Sequence, residues 1–551
     1  MPQALENLPS EILHLILGHL GIECCSTDEI EWADAHFRRS QQKPNQPSWS
    51  SLKLQPLLSL CLASKRLCHA VQPILCCNFA SGYGDSWHSR LYTWDGRLLS
   101  FLRTVARRQD LAKFVKRIHV LPHLLQASRE AVEKEKRNRR RMWEEYIRGL
   151  PQDERLRLPS EPPTCPISVS DHLQPPQPEL RQAIGEEEAC DTLREVAIAL
   201  SLNAPEQRVA AKDLVTLLIA ALPKLEHCSL FLGPPSYMMS VTSAALLTAE
   251  LSQLPLRTLS LSVLRTEEKR FDLDRNVRLL FEVSPCLETL NLHKCYGIQQ
   301  QQQQQQAATL PLLPRLKHIR ITCSRLNEQG LKLILNSCNN LCSFTYEAGP
   351  HFVDDGSAGQ WDCSDHFRLR SAARYLTRHH HHHRKTLQSV HIDLRNRGGD
   401  PVTTPTPFSF RELTALKHLF LNLDEFHSIF FLHPGTNDST ILTKVLPDGL
   451  SSLHLAGRIG EDLPRLERGL FGLAEAAVEG RFQHLKEVRW DINARLHMED
   501  AVGSLFAVAG IDFAYDSWPE SRMSAYHGDS IPPANIENQY HAFPDCEDDD
   551  L

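Results

Sequence analysis

The chain has 551 residues, of which 42% are hydrophobic and 23% charged, with a formal net charge of −7. This length predicts either three or four domains or one extended repeat array. The mildly acidic, mixed charge argues against a dedicated nucleic-acid binder, which needs a concentrated basic surface. No window holds the roughly 18–20 uninterrupted apolar residues of a membrane helix. The apolar stretch at 13–20 lacks the cationic start and the cleavage site of a signal peptide. We therefore expect a cytoplasmic or nuclear protein, or one found in both places, that is not secreted.

The first predicted element is a short helix that opens with Leu8-Pro9-Ser10-Glu11 and runs to Leu20. Proline is tolerated in a first helical turn, and Glu11 suits the positive end of the helix dipole. The apolar side chains form two adjoining stripes, Ile12, Ile16 and Leu20 in one and Leu13, Leu17 and Leu20 in the other. Because this arc is broader than one core face needs, we predict that one side packs on its own domain and the other meets a partner.

A second apolar helix is predicted from Leu57 to Val71, between Pro56 and Pro73. The two helical segments together resemble the F-box motif. The opening at 8–11 matches the family's Leu-Pro-x-Glu, and Leu57 through Leu67 is similar to its Leu-Leu-x-Leu-x-Leu-Val-Ser-Lys-Arg-Trp half. Ala63 and Leu67 depart from the usual Val and aromatic residue. The exit Val71-Gln72-Pro73-Ile74-Leu75 resembles that of F-box proteins from filamentous fungi. We assign residues 1–80 to such a domain, with a polar insertion at about 21–56 that loop-closure entropy tolerates.

This resemblance implies a role. F-box proteins dock on a Skp-family adaptor within a cullin–RING ubiquitin ligase, and a C-terminal domain holds the protein to be ubiquitinated. The resemblance implies a non-catalytic subunit without cofactor or metal, because such a ligase acts by bringing substrate and charged ubiquitin carrier together. The residues expected to bind the adaptor are Leu8, Pro9, Glu11, Ile12, Leu13, Ile16, Leu17, Leu20, Leu57, Leu58, Leu60, Leu62, Lys65 and Leu67.

Residues 81–150 are predicted to form linking helices and a first repeat-like strand at Val115, Ile118 and Val120. Within them, the basic cluster Lys134–Arg141 has glutamates on both sides. That pattern favours a solvated helix with i,i+4 ion pairs, and a nuclear-localisation patch is the alternative. Residues 151–189 are rich in proline and carry an acidic run, which predicts a disordered linker.

From residue 190 to 516 the pattern L-x-x-L-x-L recurs, with helix-like stretches such as Leu463–Val478 between the occurrences. A short strand followed by a helix at this spacing is typical of a solenoid, because one unit cannot bury its apolar face alone. The sequence resembles the leucine-rich-repeat family in its longer form, whose strands line the inner wall of a horseshoe. We therefore expect an α/β solenoid preceded by a small all-α F-box domain. The nine units begin at Leu225, Leu256, Leu287, Leu316, Leu341, Leu387, Leu416, Leu450 and Leu485.

In such a strand, the middle residue of L-x-L and the residue after the second Leu point away from the core. These positions mix both charge signs with hydroxyls and aromatics, which suits a protein or peptide ligand. A solvated inner face, with the contacts elsewhere, is the alternative for each residue. The residues expected to bind substrate on the concave face are Phe231, Asn291, His293, Arg320, Thr322, Glu347, Asp393, Phe420, Asn422, His454, Arg489 and Asp491.

The remaining features are insertions and a tail. Gln299–Gln306 and His379–His383 are predicted as loop insertions, and 517–551 as a disordered acidic tail. The wide interval before Leu387 is either an insertion or a degenerate unit. Cysteines are scattered without a CxxC motif, so reduced thiols are expected.

Two other functions stay open. One is a repeat scaffold with no ubiquitin ligase attached. The other is an enzyme with a site at 351–386 that uses Asp365 or His366.

Overall fold

The computed structural model describes most of the repeat region and short parts of the N-terminal region. Described residues up to Pro285 belong to one compact unit, and those from Cys286 onward belong to a second. The described residues are 8–9, 11–13, 15–17, 49–79, 97–120, 137, 140–149, 151, 218–219, 221–232, 253–263, 278, 280–293, 310–324, 326–348, 367, 369–379, 383–394, 408–423, 437–457, 462–491 and 495–515.

The first unit begins with helices. Residues 11–13 and 15–17 are helical, and a helical pair follows, α1 (Trp49–Ala63) and α2 (Lys65–Leu75). The single helix predicted over 57–71 is wrong, because the chain is extended at Ser64 (φ −159°, ψ 159°). The Ser64 hydroxyl accepts a hydrogen bond of 3.3 Å from the Leu67 N–H. This cap satisfies one of the free N–H groups at the start of α2, so two helices stand where the apolar pattern shows one.

The two prolines that were expected to bound the predicted helix lie inside the helices. Pro56 is in α1 and Pro73 is in α2. Helix α1 therefore begins at Trp49, within the stretch predicted as a polar insertion, and Leu54 packs against the core of the helical pair. Apolar contact stabilises these helices although each proline removes a backbone donor.

Four parallel strands follow in the first unit, paired in chain order. Helices α3 (Arg97–Arg107) and α4 (Gln109–Ala112) lie between the first two strands along the chain. The in-register row Phe79, Ile118, Cys228 and Leu259 runs across the sheet. The strands are β1 (Asn78–Phe79), β2 (Arg117–Val120), β3 (His227–Leu232) and β4 (Thr258–Val263).

The basic cluster predicted as a solvated helix is helical at 140–149. Arg140 Nε lies 3.1 Å from Glu144 Oε1, and both side chains are exposed. This is the i,i+4 ion pair that the charge pattern predicts. None of the helices in the described ranges combines the length and hydrophobicity that crossing a bilayer requires.

The second unit contains eight parallel strands, again paired in chain order. Together with β2–β4, these include every strand predicted from the repeats, while β1 and β12 were missed. The strands are β5 (Thr289–His293), β6 (His318–Ser324), β7 (Ser343–Ala348), β8 (Ser389–Asp393), β9 (His418–Asn422), β10 (Ser452–Ala456), β11 (Glu487–Asp491) and β12 (Asp512–Tyr515). The helices are α5 (Glu328–Asn336), α6 (Leu369–Arg374), α7 (His383–Thr386), α8 (Ile441–Val445), α9 (Leu463–Val478) and α10 (Glu499–Val508), with a π-helix (Tyr375–His379) and a 3₁₀ helix (Asp438–Thr440).

The wide interval between the repeats at 341 and 387 is an insertion. Strand β7 pairs directly with β8, with Phe344 opposite Val390, so no repeat strand intervenes. The interval contributes α6, the π-helix and α7. Two histidines of the His run were predicted to lie in a loop, but His379 ends the π-helix and His383 begins α7, where it is fully buried. The described part of this run is therefore helical.

Alternation along the strands creates the core. Strands β5 and β11 alternate half-buried and buried residues, with Leu290, Leu292, Val488 and Trp490 on the buried side. Fully burying one such side chain contributes about 1.5–3 kcal/mol. The contribution depends on the neighbouring strand, because each strand alone leaves this face in water.

Helix α9 makes the closest helix contact of the second unit to the preceding 3₁₀ helix. A Cβ placed on Gly472 would lie 1.9 Å from the Ser439 carbonyl oxygen, which leaves room for glycine alone. On the previous turn, a Cβ on Gly469 would meet its neighbours at 3.5 Å, an ordinary contact distance. Asp438 also accepts hydrogen bonds from Arg465 and Arg468 of α9, so the contact is both steric and ionic.

Gly472→Ala should destabilise the second unit by about 1–3 kcal/mol, because the added methyl forces α9 away from the 3₁₀ helix. Gly469→Ala, on the same face of α9, should be neutral or mildly stabilising because alanine favours the helix. Urea unfolding of the two variants compares them directly. Equal stability of the two variants would contradict the close approach.

Candidate protein-interaction surfaces

The helical segment at 11–17 and the pair α1–α2 share a small apolar core. We call these residues, 8–17 and 49–75, the N-terminal module. Leu13 and Leu17, one helical turn apart, are buried together with residues of both later helices. The core residues are Leu13, Leu17, Leu57, Leu67 and Val71.

The other side of the first helical segment is apolar and exposed. Ile12 and Ile16 are 43% and 37% exposed, and Leu15 is 62% exposed. On α1, Leu58 and Leu62 are also exposed, the latter to 88%. The segment therefore uses one apolar stripe for its own core and leaves the adjoining side open. Exposed apolar residues grouped in this way mark interaction sites more often than scattered ones do.

An open apolar pocket of about 330 Å³ lies next to this exposed side. Ile16 from the first segment and Leu60 from α1 form part of its wall, and Ser59 is its one polar lining residue. Leu67, where the F-box pattern has an aromatic residue, also lines it. The smaller side chain at this position is consistent with open space between the first segment and the α1–α2 pair.

A hydrogen bond joins the start of the module to α2. Arg66 Nη2 donates to the Leu8 carbonyl oxygen over 2.8 Å, and the Leu13 N–H donates to the Pro9 carbonyl oxygen over 3.0 Å. The Leu-Pro opening is thereby held against the third helical element, 58 residues further along the chain. This contact positions the exposed stripe relative to the pocket.

The expected adaptor-binding residues divide between core and surface. Leu57 is fully buried and does not line the pocket, so it supports the module and its expected direct contact is wrong. Leu13, Leu17 and Leu67 are buried pocket walls, and Leu8 and Leu60 are half-buried. Leu20 lies outside the described residues. Leu15 was missed because it falls off both apolar stripes. The exposed expected residues are Pro9, Glu11, Ile12, Ile16, Leu58, Leu62 and Lys65.

The second unit presents the opposite face of its strands as in-register rows. One row continues from Asn291 through Arg320, Thr345, His391, Phe420 and His454 to Arg489. In its middle, the Phe420 ring stacks between His391 (centroids 4.0 Å apart) and His454 (4.9 Å). These separations are close to the spacing of neighbouring strands, so the register itself builds the stack.

Carboxylates flank both ends of this stack. His391 Nε2 lies 3.9 Å from Glu347 Oε1, and His454 Nε2 lies 4.0 Å from Asp491 Oδ2. Arg489, the next residue of the row, contacts Glu487 at 3.3 Å and Asp512 at 2.7 Å. The described residues hold no cluster of His, Cys, Asp and Glu arranged to bind a metal ion. This part of the face combines aromatic rings with a net negative charge.

The expected concave-face residues lie on this opposite face, but several of them are not exposed. Glu347, Asp393, Phe420, Asn422 and His454 are each at most 6% exposed. The expectation of an open wall is therefore wrong for strands β7–β10. In-register strands bring equivalent side chains into contact, and stacked rings cover one another.

At the start of the second unit this face is more open. Asn291, His293, Arg320 and Thr322 are half-buried, and His293 Nδ1 shares a hydrogen bond of 2.8 Å with Thr322 Oγ1. Arg489 and Asp491 on β11 are half-buried as well. The Phe231 side chain lies outside the described ones. A partner therefore has polar side chains available at β5–β6 and at β11.

Leu17→Ala should destabilise the N-terminal module by about 2–5 kcal/mol, because it opens a cavity in a fully buried position. Ile16→Ala, one residue earlier and partly exposed, should change stability by less than about 1 kcal/mol. Hydrogen exchange of the α1 and α2 amides in the full chain measures both effects. Equal loss of protection would show that the exposed stripe belongs to the core.

One comparison with known families bears on these surfaces. Residues 300–513 match the family model described as a leucine-rich repeat domain, a range that includes β6 to β11. The match does not extend to the N-terminal module. No curated protein matches the chain. The repeat pattern, the in-register parallel strands and this match agree, and residues 300–513 form a leucine-rich repeat domain.

Proposed function

We propose that the protein is a substrate-receptor subunit of a cullin–RING ubiquitin ligase. In this role, the N-terminal module docks on a Skp-family adaptor, and the leucine-rich repeats bind the protein to be ubiquitinated. The observation that carries the proposal is the exposed apolar stripe Ile12, Leu15 and Ile16 beside an open pocket. A leucine-rich repeat domain suggests protein–protein interaction, which supports the second half.

The module suits recognition of an apolar helix or groove on a partner. Partly exposed Ile and Leu side chains can each contribute on the order of 1 kcal/mol when a partner removes them from water. They belong to a helical segment that its own core already orders through Leu13 and Leu17. Because that order exists before binding, less conformational entropy is lost on docking. Helix-in-groove recognition uses this arrangement of anchors at i, i+3 and i+4.

The proposed chemistry belongs to other subunits. A receptor raises the local concentration of substrate near the charged ubiquitin carrier, and this needs affinity rather than a nucleophile. On the repeats, the half-buried polar residues at β5–β6 and β11 are the proposed first contacts with substrate. The intracellular location that such a ligase requires is part of the same proposal.

Leu15→Asp should weaken binding to a Skp-family adaptor by at least tenfold, because a carboxylate must be desolvated where Leu15 would be buried. Leu15 is largely exposed in the free chain, so folding should be unaffected. Val508→Asp is the matched control, an equally apolar residue that is 74% exposed in the second unit. Titration of full-length variants with purified adaptor gives the affinities. Wild-type affinity in Leu15→Asp would remove this surface from the proposal.

The alternative is a leucine-rich-repeat scaffold with no ubiquitin ligase attached. It is favoured by the fact that the family match covers the repeats and not the N-terminal module. Purification of the full chain from its source separates the two, because a scaffold recovers partners without adaptor or cullin. The enzymatic alternative at 351–386 rests on Asp365 and His366, which lie outside the described residues.

A further inference from the structure

Two cysteines meet where α1 and α2 join. Cys61 lies in the last turn of α1 and Cys68 in the first turn of α2, on either side of the extended residue Ser64. Their thiols share a hydrogen bond. Both side chains are half-buried and free, and Cys61 packs against the module core. The helical pair thus places two reduced sulfurs in contact at a site with partial access to solvent.

These cysteines are next to residues of the pocket. Leu60 and Leu67, which line it, are the immediate neighbours of Cys61 and Cys68 in α1 and α2. A disulfide holds its sulfurs at about 2.05 Å, well inside any thiol–thiol hydrogen bond. Forming it would draw the two helices together beside the pocket. A change in the sulfur pair is therefore transmitted directly to the docking surface.

We propose that Cys61 and Cys68 form a reversible disulfide under peroxide and that the disulfide weakens adaptor docking. Its effect on docking rests on the proposed function, whereas its formation does not. Hydrogen peroxide oxidises one thiol to a sulfenic acid and releases water. The other sulfur then attacks that sulfur, and its proton leaves with the displaced hydroxyl as a second water. Each disulfide formed consumes one peroxide, and a dithiol reductant reverses it.

Other thiols of the described chain are less suited to this reaction. Cys228 is fully buried, and burial raises the pKa of its thiol. Burial likewise raises the pKa of Cys338 to about 12. Cys76 interacts electrostatically with Cys68, so it is the competitor that a test must separate.

The pair should react slowly at neutral pH and faster in alkali. Burial, and then the neighbouring Cys68, raise the pKa of Cys61 to about 11. The thiolate is the reactive form, and its fraction grows about tenfold per pH unit below the pKa. Disulfide formation should therefore be faster at pH 9 than at pH 7.

The sequence allows a direct chemical test on the full chain. Trypsin cleaves after Lys65 and Arg66, which places Cys61 in peptide 54–65 and Cys68 in peptide 67–90. After peroxide treatment and alkylation without reduction, mass spectrometry should find these two peptides joined, and dithiothreitol should separate them. Cys61→Ser and Cys68→Ser should each abolish the link, whereas Cys76→Ser should retain it. Fully alkylated Cys61 and Cys68 would overturn the proposal, as would a link that survives Cys68→Ser.

Adaptor titration of the same samples tests the consequence. Oxidised wild type should bind a purified Skp-family adaptor on the order of tenfold more weakly than reduced wild type, with recovery after dithiothreitol. Cys61→Ser should bind equally before and after peroxide, and Cys342→Ser, a half-buried thiol of the second unit, should behave as wild type. Unchanged affinity in a cross-linked sample would overturn the regulatory effect. A reduced chain that binds no adaptor, yet still cross-links, would overturn the proposed function and leave the disulfide standing.

Discussion

The second unit depends on one constraint, the in-register stacking of parallel strands that lack a complete core of their own. The row Phe344, Val390, Leu419, Leu453 and Val488 shows it most directly, because each side chain lies opposite the next in the neighbouring strand. All are at most 2% exposed. A strand that left this row would expose its own apolar residue and that of its neighbour, which couples the stability of successive repeats.

The same register determines what the other face can do. It stacks the rings of His391, Phe420 and His454 and brings Glu347 and Asp491 to within about 4 Å of the two imidazoles. These residues are consequently buried within the layer. A structural role in holding β7–β11 together follows from this packing. Recognition of a partner is left to the half-buried polar positions at either end of the row.

The N-terminal module solves a different packing problem. Its first helical segment is too short to be stable alone, and two leucines a turn apart fix it on α1 and α2. The remaining apolar side chains face solvent because the core is already complete. The hydrogen bond from Arg66 to Leu8 sets the segment's position, and the Cys61–Cys68 contact lies in the same helical pair. Docking, pocket and thiol chemistry are thus coupled through the spacing of two helices.

The sequence by itself determined the repeat architecture, because alternation of apolar residues in short strands survives in any context that buries one face. It located the strands from β2 to β11 and predicted Leu463–Val478 with the helix bounds that the structure shows. It could not place the break at Ser64, which depends on a side-chain cap, nor the helical state of His383, which depends on burial. It also treated the residues opposite the core as exposed. Only the tertiary structure decided that Phe420 and its neighbours are buried, because that depends on which side chains the register of adjacent strands brings into contact.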